Sequence, residues 1–458
     1  MKENNVNAVE TAEVKPEVLT DDQVLEVDEQ PVSSPETSNE ELDPAEKSRF
    51  EKNQKRKFYK YAAVNFTFYL TLIFGGYVTV FLQSIGFNPQ QVGTISALNS
   101  GVGIFASPFW GMLSDKIRSL KKVIIIALTT SSLLFALIPW VSGMRIRGLS
   151  LLFLLIPITM FFRNPVMSLI DNWMLRNARS DKLDYGALRA FGALSFAIGS
   201  LALGYLIPMT GVEVVFYVSA VIAIPSLVLI LGMKDRDTGD ENGQEPTKRR
   251  SLTFKEMQFG QLFKNYYLVT FVLFSILLRI PFHSSMIFLP FLIYAVGGNV
   301  AQLGIIMGIR AAVEIPMMML LKPLRQRFPL YILIMVATAL FMTELLLYSI
   351  VNSFIMLVAV SIFHGLGNGL MLPSSASYVF SLAPEHLKAT AQTILASMNA
   401  IAGIIGGLLG GLLIVMFDIQ QFYFIIGITL SVSLIMFILS FFVGEKILGI
   451  KRPGLSLH

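Results

Sequence analysis

Twelve apolar runs divide the chain, near residues 61–85, 92–113, 123–141, 149–170, 190–208, 212–232, 266–296, 301–321, 330–350, 353–382, 389–417 and 421–443. Each holds about the 20 residues that a helix needs to cross a ~30 Å hydrocarbon layer. In lipid, backbone N–H and C=O groups must be satisfied within the chain, so the runs predict an all-α membrane protein with twelve spanning helices. The polar stretches between runs alternate in charge. Those at 47–60, 114–122, 171–189, 233–264, 322–329 and 384–388, with the C-terminus, hold 29 of the 36 Lys and Arg. The connections on the other side hold two, Arg145 and Arg147. The positive-inside rule makes the first set cytoplasmic, which puts both termini inside and the span count even.

The longest break, 233–264, splits the runs six and six. Lys234 to Thr247 is polar and reads as a linker, and Ser251 to Lys264 reads as a short surface helix. The organisation expected is an acidic, disordered tail ending in a basic collar (1–57), a six-helix bundle (58–232), a cytoplasmic linker (233–264), a second six-helix bundle (265–445) and a cytoplasmic tail (446–458). The halves repeat one another. At an offset of 211, Gly86, Asn88, Gln91, Gly93 and Ile95 align with Gly297, Asn299, Gln302, Gly304 and Ile306. At an offset of 207, Ile198, Gly199, Leu201 and Gly204 align with Ile405, Gly406, Leu408 and Gly411. Two matches in corresponding places predict pseudo-symmetric bundles with a midplane site between them. Small residues on the second run (Gly93, Ala97, Gly101), the fifth (Ser195, Gly199, Gly204) and the eleventh (Gly403, Gly406, Gly407, Gly410, Gly411) predict close helix crossings.

Composition fits a polytopic membrane protein: 54% of residues are hydrophobic and 15% charged. Residues 1–46 carry 14 acids and two bases, and the remainder 34 bases and 17 acids. The basic excess sits in loops that face anionic lipid, so it is no nucleic-acid footprint. The chain has no cysteine, which removes disulfides and thiolate metal sites. Trp110, Trp140 and Trp173 fall near the ends of runs and read as interfacial anchors.

Seven ionisable residues lie deep inside the runs at a similar depth: Arg163, Arg279, His283, Arg310, Glu314, Glu344 and His364. A charge there costs roughly 2.5–3.5 kcal/mol on insertion scales, so each is expected to face a partner or a shared cavity. Arg310 and Glu314 are spaced i, i+4 and can pair on one helix face. That pair either makes both residues tolerable or lets Glu314 exchange a proton under the influence of Arg310. Glu344 has no partner on its own helix, so Arg279, Arg310 or a His must reach it from another. The set sums to three positive and two negative charges, which favours an anionic solute near Arg163 or Arg279; a neutral solute stays open. Asn99 and Asn368 are further candidates for solute contact, and Asn65 and Asn399 for contact or for bonding between helices. Gly365-Leu366-Gly367-Asn368-Gly369 lies within an apolar run and reads as helix packing. No Gly-x-x-x-x-Gly-Lys run is present, so ATP is not expected to drive the protein.

After the second run the chain reads Gly111-Met112-Leu113-Ser114-Asp115-Lys116, followed by Arg118, Lys121 and Lys122. This resembles the loop signature of the major facilitator superfamily, with its second Gly missing. Asp171 after Pro165, Tyr185-Gly186-x-x-Arg189-x-x-Gly192, Glu314-Ile315-Pro316, His364-Gly365 and Lys388-Ala389-Thr390-Ala391-Gln392 resemble the phenylpropionate permease-like and nucleoside symporter-like branch, distant kin of lactose permease. The resemblance covers about residues 58–445. It implies proton-handling acids in the C-terminal half, where Glu314, Glu344, Arg310 and His364 lie. It also implies that Asp115, with Arg118, Arg189 and Lys388 in the same layer, latches the halves on the cytoplasmic side.

Together these features predict a secondary active transporter of a small organic solute, working by alternating access and coupled to protons. It is expected in the cell membrane as a monomer, without cofactor, metal or nucleic-acid partner. Proton-driven efflux and a non-transporting sensor on the same scaffold are the alternatives.

Overall fold

A computed structural model describes residues 44–181, 183–233, 260–384 and 387–454. Most of the acidic tail and residues 234–259 of the linker lie outside the described residues. The chain divides into two units, 1–52 and 53–458. The described part of the first unit is helical, and the second holds the membrane bundles. The helices are α1 (Pro44–Leu72), α2 (Gly75–Ser84), α3 (Pro89–Ile117), α4 (Leu120–Val141), α5 (Leu152–Ser180), α6 (Tyr185–Thr210), α7 (Val214–Leu231), α8 (Gly260–Lys264), α9 (Tyr266–Ala295), α10 (Val300–Arg327), α11 (Leu330–Tyr348), α12 (Phe354–Leu382), α13 (Lys388–Met416) and α14 (Ile419–Phe442). The basic collar is therefore the start of α1 and not part of an irregular tail. The first span, Lys52–Ser84, comprises residues of α1 and α2 and is interrupted at Ile73 and Phe74. Eleven stretches among the described residues are long and apolar enough to cross a membrane. The twelfth span, α3, is 29 residues long but more polar, with Gln90, Gln91, Thr94, Ser96, Asn99, Ser100 and Ser107. It packs on α13 and α5, and contact with other helices lets a span carry polar residues.

One connection departs from the expected all-helical pattern. Arg145–Ile146 pairs antiparallel with Leu149–Ser150 in a two-residue hairpin. Arg147 and Gly148 both take positive φ, 51° and 84°, as a primed hairpin turn requires. The tryptophans also depart from expectation. Trp140 is exposed, but Trp110 and Trp173 are buried, and Trp110 Nε1 donates to the Phe161 carbonyl at 3.0 Å. The apolar core of the N-terminal half claims these two rings before the interface can.

The repeat is visible in the geometry. Asn88 caps α3 and Asn299 caps α10, each in a capping box closed by Gln91 or Gln302. Gly86 and Gly297, two residues earlier in each copy, hold φ of 86° and 76°. The same motif then meets its partner in the opposite half, α3 against α13 and α10 against α6. A Cβ on Gly407 would lie 2.6 Å from the Gly93 carbonyl oxygen, and one on Gly411 2.6 Å from that of Pro89. In the other copy, a Cβ on Gly304 would lie 2.9 Å from the Gly204 Cα, and one on Gly204 2.6 Å from the Ala301 carbonyl oxygen. Only glycine permits either approach.

These crossings all lie toward the Gly86/Gly297 end. Farther along α3, a Cβ on Gly101 meets only the tip of Ile404 at 3.7 Å, and one on Gly111 meets nothing within 4 Å. The core has the same asymmetry. One apolar cluster fills the C-terminal half and enters the N-terminal half through residues such as Tyr77, Phe81, Val92, Phe135, Leu203 and Phe216. The other end of the N-terminal half, from Tyr61 and Phe68 to Trp173 and Ile230, forms a separate cluster with no member from the C-terminal half among the described residues. The two halves are therefore joined at one end and packed separately at the other.

Candidate functional site

Beneath the joined end lies a cavity of about 290 Å³. It is lined by the first span around its interruption (Ile73, Gly75, Gly76), by α3 (Ser96, Asn99), by Met160 and Phe196, and across the halves by His283, Met286 and Met307. The interruption shapes this wall. The last four carbonyls of a helix have no partner within it, and Thr71 is among those of α1. Arg163 on α5 answers one of them: its Nη2 donates to the Thr71 carbonyl. The guanidinium also lies 5.0 Å from the centre of the Phe135 ring, and its Nη1 has no partner. Arg163 is thus tied to the backbone behind the wall and does not line the cavity, contrary to the expectation of a solute-facing cation.

The C-terminal half encloses a charge network. Arg310 Nη2 donates to Glu344 Oε1 and to the Tyr348 hydroxyl, both at 2.8 Å. His364 Nδ1 lies 3.0 Å from Glu344 Oε2, and the Tyr348 hydroxyl 2.8 Å from that of Ser361. Arg310, Glu344 and His364 are only 4%, 1% and 6% exposed, so the network is sealed within α10, α11 and α12. The i, i+4 spacing of Arg310 and Glu314 is not used. Arg310 turns into the bundle toward α11, while Glu314 is half-buried, forms no ion pair among the described residues and stays within electrostatic reach of His364. The midplane charges thus share a depth but not one cavity.

The network rests against the back of the cavity wall. Arg310 Nη1 donates to Met286 Sδ at 3.2 Å, and Met286 itself lines the cavity. The Tyr423 hydroxyl donates to the Ser285 carbonyl at 3.2 Å. Phe282 stacks on His364 at 5.4 Å. α9 thus borders both the cavity and the buried charges, and Met286 touches each.

The remaining candidates divide. Arg279 sits one turn from His283 and has a buried, unpartnered Nε. His283 lies against Asn399 of α13, and its Nε2 is buried without a partner. Asn99 accepts at its backbone carbonyl from Asn164 Nδ2 at 3.3 Å, while its side-chain Oδ1 is buried and unpartnered. Asn368 is half-buried on α12. Asn65 is fully buried with neither side-chain atom bonded, and it does not line the cavity. Asn164 carries no mark in the sequence, since nothing in its spacing sets it apart.

At the separated end, Asp115 is exposed, and no ion pair joins it to α13 among the described residues. Arg118 ends α3 in a left-handed conformation, φ 54°, with its N–H on the Asp115 carbonyl. Arg189 does not bridge the halves. It lies 4.0 Å from Asp171 and stacks over the Tyr69 ring at 3.9 Å, and Tyr69 donates to Asp171 at 2.8 Å. This cluster ties α1, α5 and α6 together within one half. Lys388 stands 4.1 Å over Phe380, within the other.

Two six-helix bundles, a pseudo-twofold repeat and a cavity between them define a transporter of the major facilitator type. The chain belongs to the MFS_1 like family, whose pattern matches residues 58–426. It is 25% identical over 313 residues to the uncharacterized transporter YwbF of Bacillus subtilis (strain 168), covering 68% of this chain and 74% of that one. It is 24% identical over 324 residues to the maltose permease of Geobacillus stearothermophilus, 70% and 78% of the two chains. The probable 3-phenylpropionic acid transporter of Escherichia coli (strain K12) is 29% identical over 184 residues, 39% and 45% of the two chains. Among solved structures, the nucleoside transporter NupG superposes with a TM-score of 0.70 at 18% identity, over 85% of this chain and 99% of that one. The protein is a transporter and not an enzyme.

Proposed function

We propose that the protein carries a small organic solute across the cell membrane by alternating access, with proton symport as the driving reaction. The observation that carries this is the asymmetric joining of the halves. One end is closed by the paired glycine crossings, and the opposite end is packed as two separate cores. With the charge bias placing Asp115, Lys388 and both termini in the cytoplasm, this is an inward-facing state. Closing the Asp115 end and opening the Gly86 end would expose the same cavity outward. The site is formed within one chain, so a monomer suffices.

Coupling is assigned to Glu344, with Arg310 and His364 as its partners and Glu314 as the acid nearer the open side. In the ion pair Glu344 is the carboxylate. A proton taken up there would remove the negative charge, release Arg310 and free its contact with Met286 on the cavity wall. Asn99 and His283 are assigned to solute contact. Arg279, one helical turn from His283 on α9, and Asn368 are secondary candidates, and Asp115, Arg118 and Arg189 are assigned to the cytoplasmic end. The relatives' names span a disaccharide, an aromatic acid and nucleosides, and so they do not fix the solute.

The test is transport in proteoliposomes with an imposed pH gradient. Solute accumulation should follow the gradient, and Glu344→Gln should abolish accumulation while solute exchange persists. Accumulation by Glu344→Gln equal to the parent would remove the proton assignment, and no solute movement under any gradient would favour the sensor.

A further inference from the structure

The connection that breaks the all-helical pattern also breaks the charge pattern. The hairpin between α4 and α5 carries Arg145 and Arg147, whereas the other connections on that side, at 86–88, 211–213, 297–299, 349–353 and 417–418, hold no Lys or Arg. No Asp or Glu lies between Ser142 and Leu151 to neutralise the two guanidinium groups. Both arginines are exposed.

The hairpin sorts its side chains by face. Ile146 is paired with Leu149, and Arg145 with Ser150. The Leu151 N–H donates to the Met144 carbonyl at 3.0 Å and continues the ladder by one pair. Opposed residues share a face, and successive residues alternate. Met144, Ile146 and Leu149 therefore fall on one face, and Arg145 and Ser150 on the other. Met144, Ile146 and Leu149 are 54%, 59% and 59% exposed, so the fold leaves the apolar face largely uncovered.

The surroundings say what covers it. The 22 residues of α4 span about 33 Å, just over a ~30 Å hydrocarbon layer, so its end at Val141 reaches the headgroups. The exposed apolar residues of α4 are Ile126, Leu133, Leu137 and Trp140, spaced 7, 4 and 3 residues apart along one lipid-facing stripe. Trp140 ends that stripe at the depth where an indole favours the interface. Beyond the hairpin, Leu154 and Ile158 expose apolar surface one turn apart on α5. The hairpin thus links two lipid-facing stripes, and its own apolar face continues them.

We propose that the 144–150 hairpin is a foothold on the bilayer, with Met144, Ile146 and Leu149 set into the acyl-chain boundary and Arg145 and Arg147 bound to the phosphates of anionic phospholipid. A guanidinium reaches past an apolar surface on its long stem and matches phosphate with two N–H donors. With the charge bias placing this connection outside, the leaflet is the outer one. The lipid then holds the outer end of α5, which carries Met160 of the cavity wall, at a fixed depth. The proposal goes beyond the transport reading and depends on neither the solute nor proton coupling.

The experiment uses purified full-length protein in phosphatidylglycerol vesicles. Ile146→Cys, Leu149→Cys and Arg145→Cys, made singly in this cysteine-free chain, each carry an environment-sensitive fluorophore. A nitroxide on the upper acyl chain should quench the Ile146→Cys and Leu149→Cys labels severalfold more than the Arg145→Cys label, and aqueous iodide should show the reverse order. Iodide quenching that is equal at all three positions, with no quenching by the nitroxide, overturns the proposal. Shielding of the Ile146→Cys and Leu149→Cys labels from both quenchers would mean that a second copy of the chain covers the face, and it also overturns the proposal. Phosphate binding has a separate readout. Adding Arg145→Gln and Arg147→Gln to the Ile146→Cys protein should weaken nitroxide quenching in phosphatidylglycerol vesicles and change it less in phosphatidylcholine vesicles. Quenching unaffected by the two substitutions in phosphatidylglycerol overturns the role given to the arginines.

Discussion

Gly93 and Gly407 meet backbone to backbone: a Cβ on either would fall inside the van der Waals envelope of the other's carbonyl oxygen. Nothing but glycine lets α3 and α13 cross there, and the Gly304–Gly204 crossing repeats the arrangement on the other side of the cavity. The two crossings join the halves at this end by close backbone contact, which a single methyl can upset.

Gly93→Val should therefore bias the protein toward the state open at the Gly86 end, and Gly304→Val should do the same. Ser96→Cys, on the cavity wall of this cysteine-free chain, supplies the reporter. An impermeant maleimide added outside intact cells should label it severalfold faster in either glycine variant. Equal labelling in all three proteins would contradict the gate.

The Arg310–Glu344 pair is buried on both sides. Removing one member of such a pair leaves an uncompensated charge, which costs about 3–5 kcal/mol. Arg310→Met should lower the melting temperature more than Arg310→Met combined with Glu344→Leu, and the double variant should fold yet accumulate no solute from a pH gradient. A double variant less stable than the single one would show that the network contributes more than charge compensation.

Asp115 is exposed in this state and should matter only when the separated ends close. Asp115→Asn is expected to slow solute flux several-fold without changing solute binding measured in detergent. Flux equal to the parent, with unchanged cysteine accessibility on that side, would reduce Asp115 to a topogenic charge.

Topology has its own check. Arg147→Cys, on the exposed hairpin, should react with impermeant maleimide on whole cells, and Asn242→Cys should react only after permeabilisation. The reverse pattern would invert the assignment of the two faces.

The architecture is legible in the sequence because its causes are local. Apolar length and loop charge predict the spans, and the Gly86-Asn88-Gln91 copy predicts repeated halves, which the structure realises as a turn, a cap and a crossing that recur at Gly297-Asn299-Gln302. The site is only half legible. Depth along a helix can be counted, so Arg310, Glu344 and His364 group together in the sequence. Rotation about the helix cannot be counted as well, so spacing matches Arg310 to Glu314 on its own helix, whereas its side chain turns to α11. Arg163 looks like a lone cation in the sequence because its partner is a backbone carbonyl, which carries no sequence signal. Arg189 resembles a member of the latch, although Asp171 and Tyr69 hold it within one half.

The bond from Arg163 to Thr71 also bears on how the protein is made. The first span enters the bilayer with a break in its hydrogen-bond ladder, and an unanswered carbonyl in hydrocarbon costs several kcal/mol. Its donor lies 92 residues later, on the fourth span. The first span thus lacks this donor until the fourth has inserted, so its final stability depends on a later span. A chain truncated after α4 would lack the Arg163 donor to that carbonyl and should be less stable in the membrane than one that includes α5.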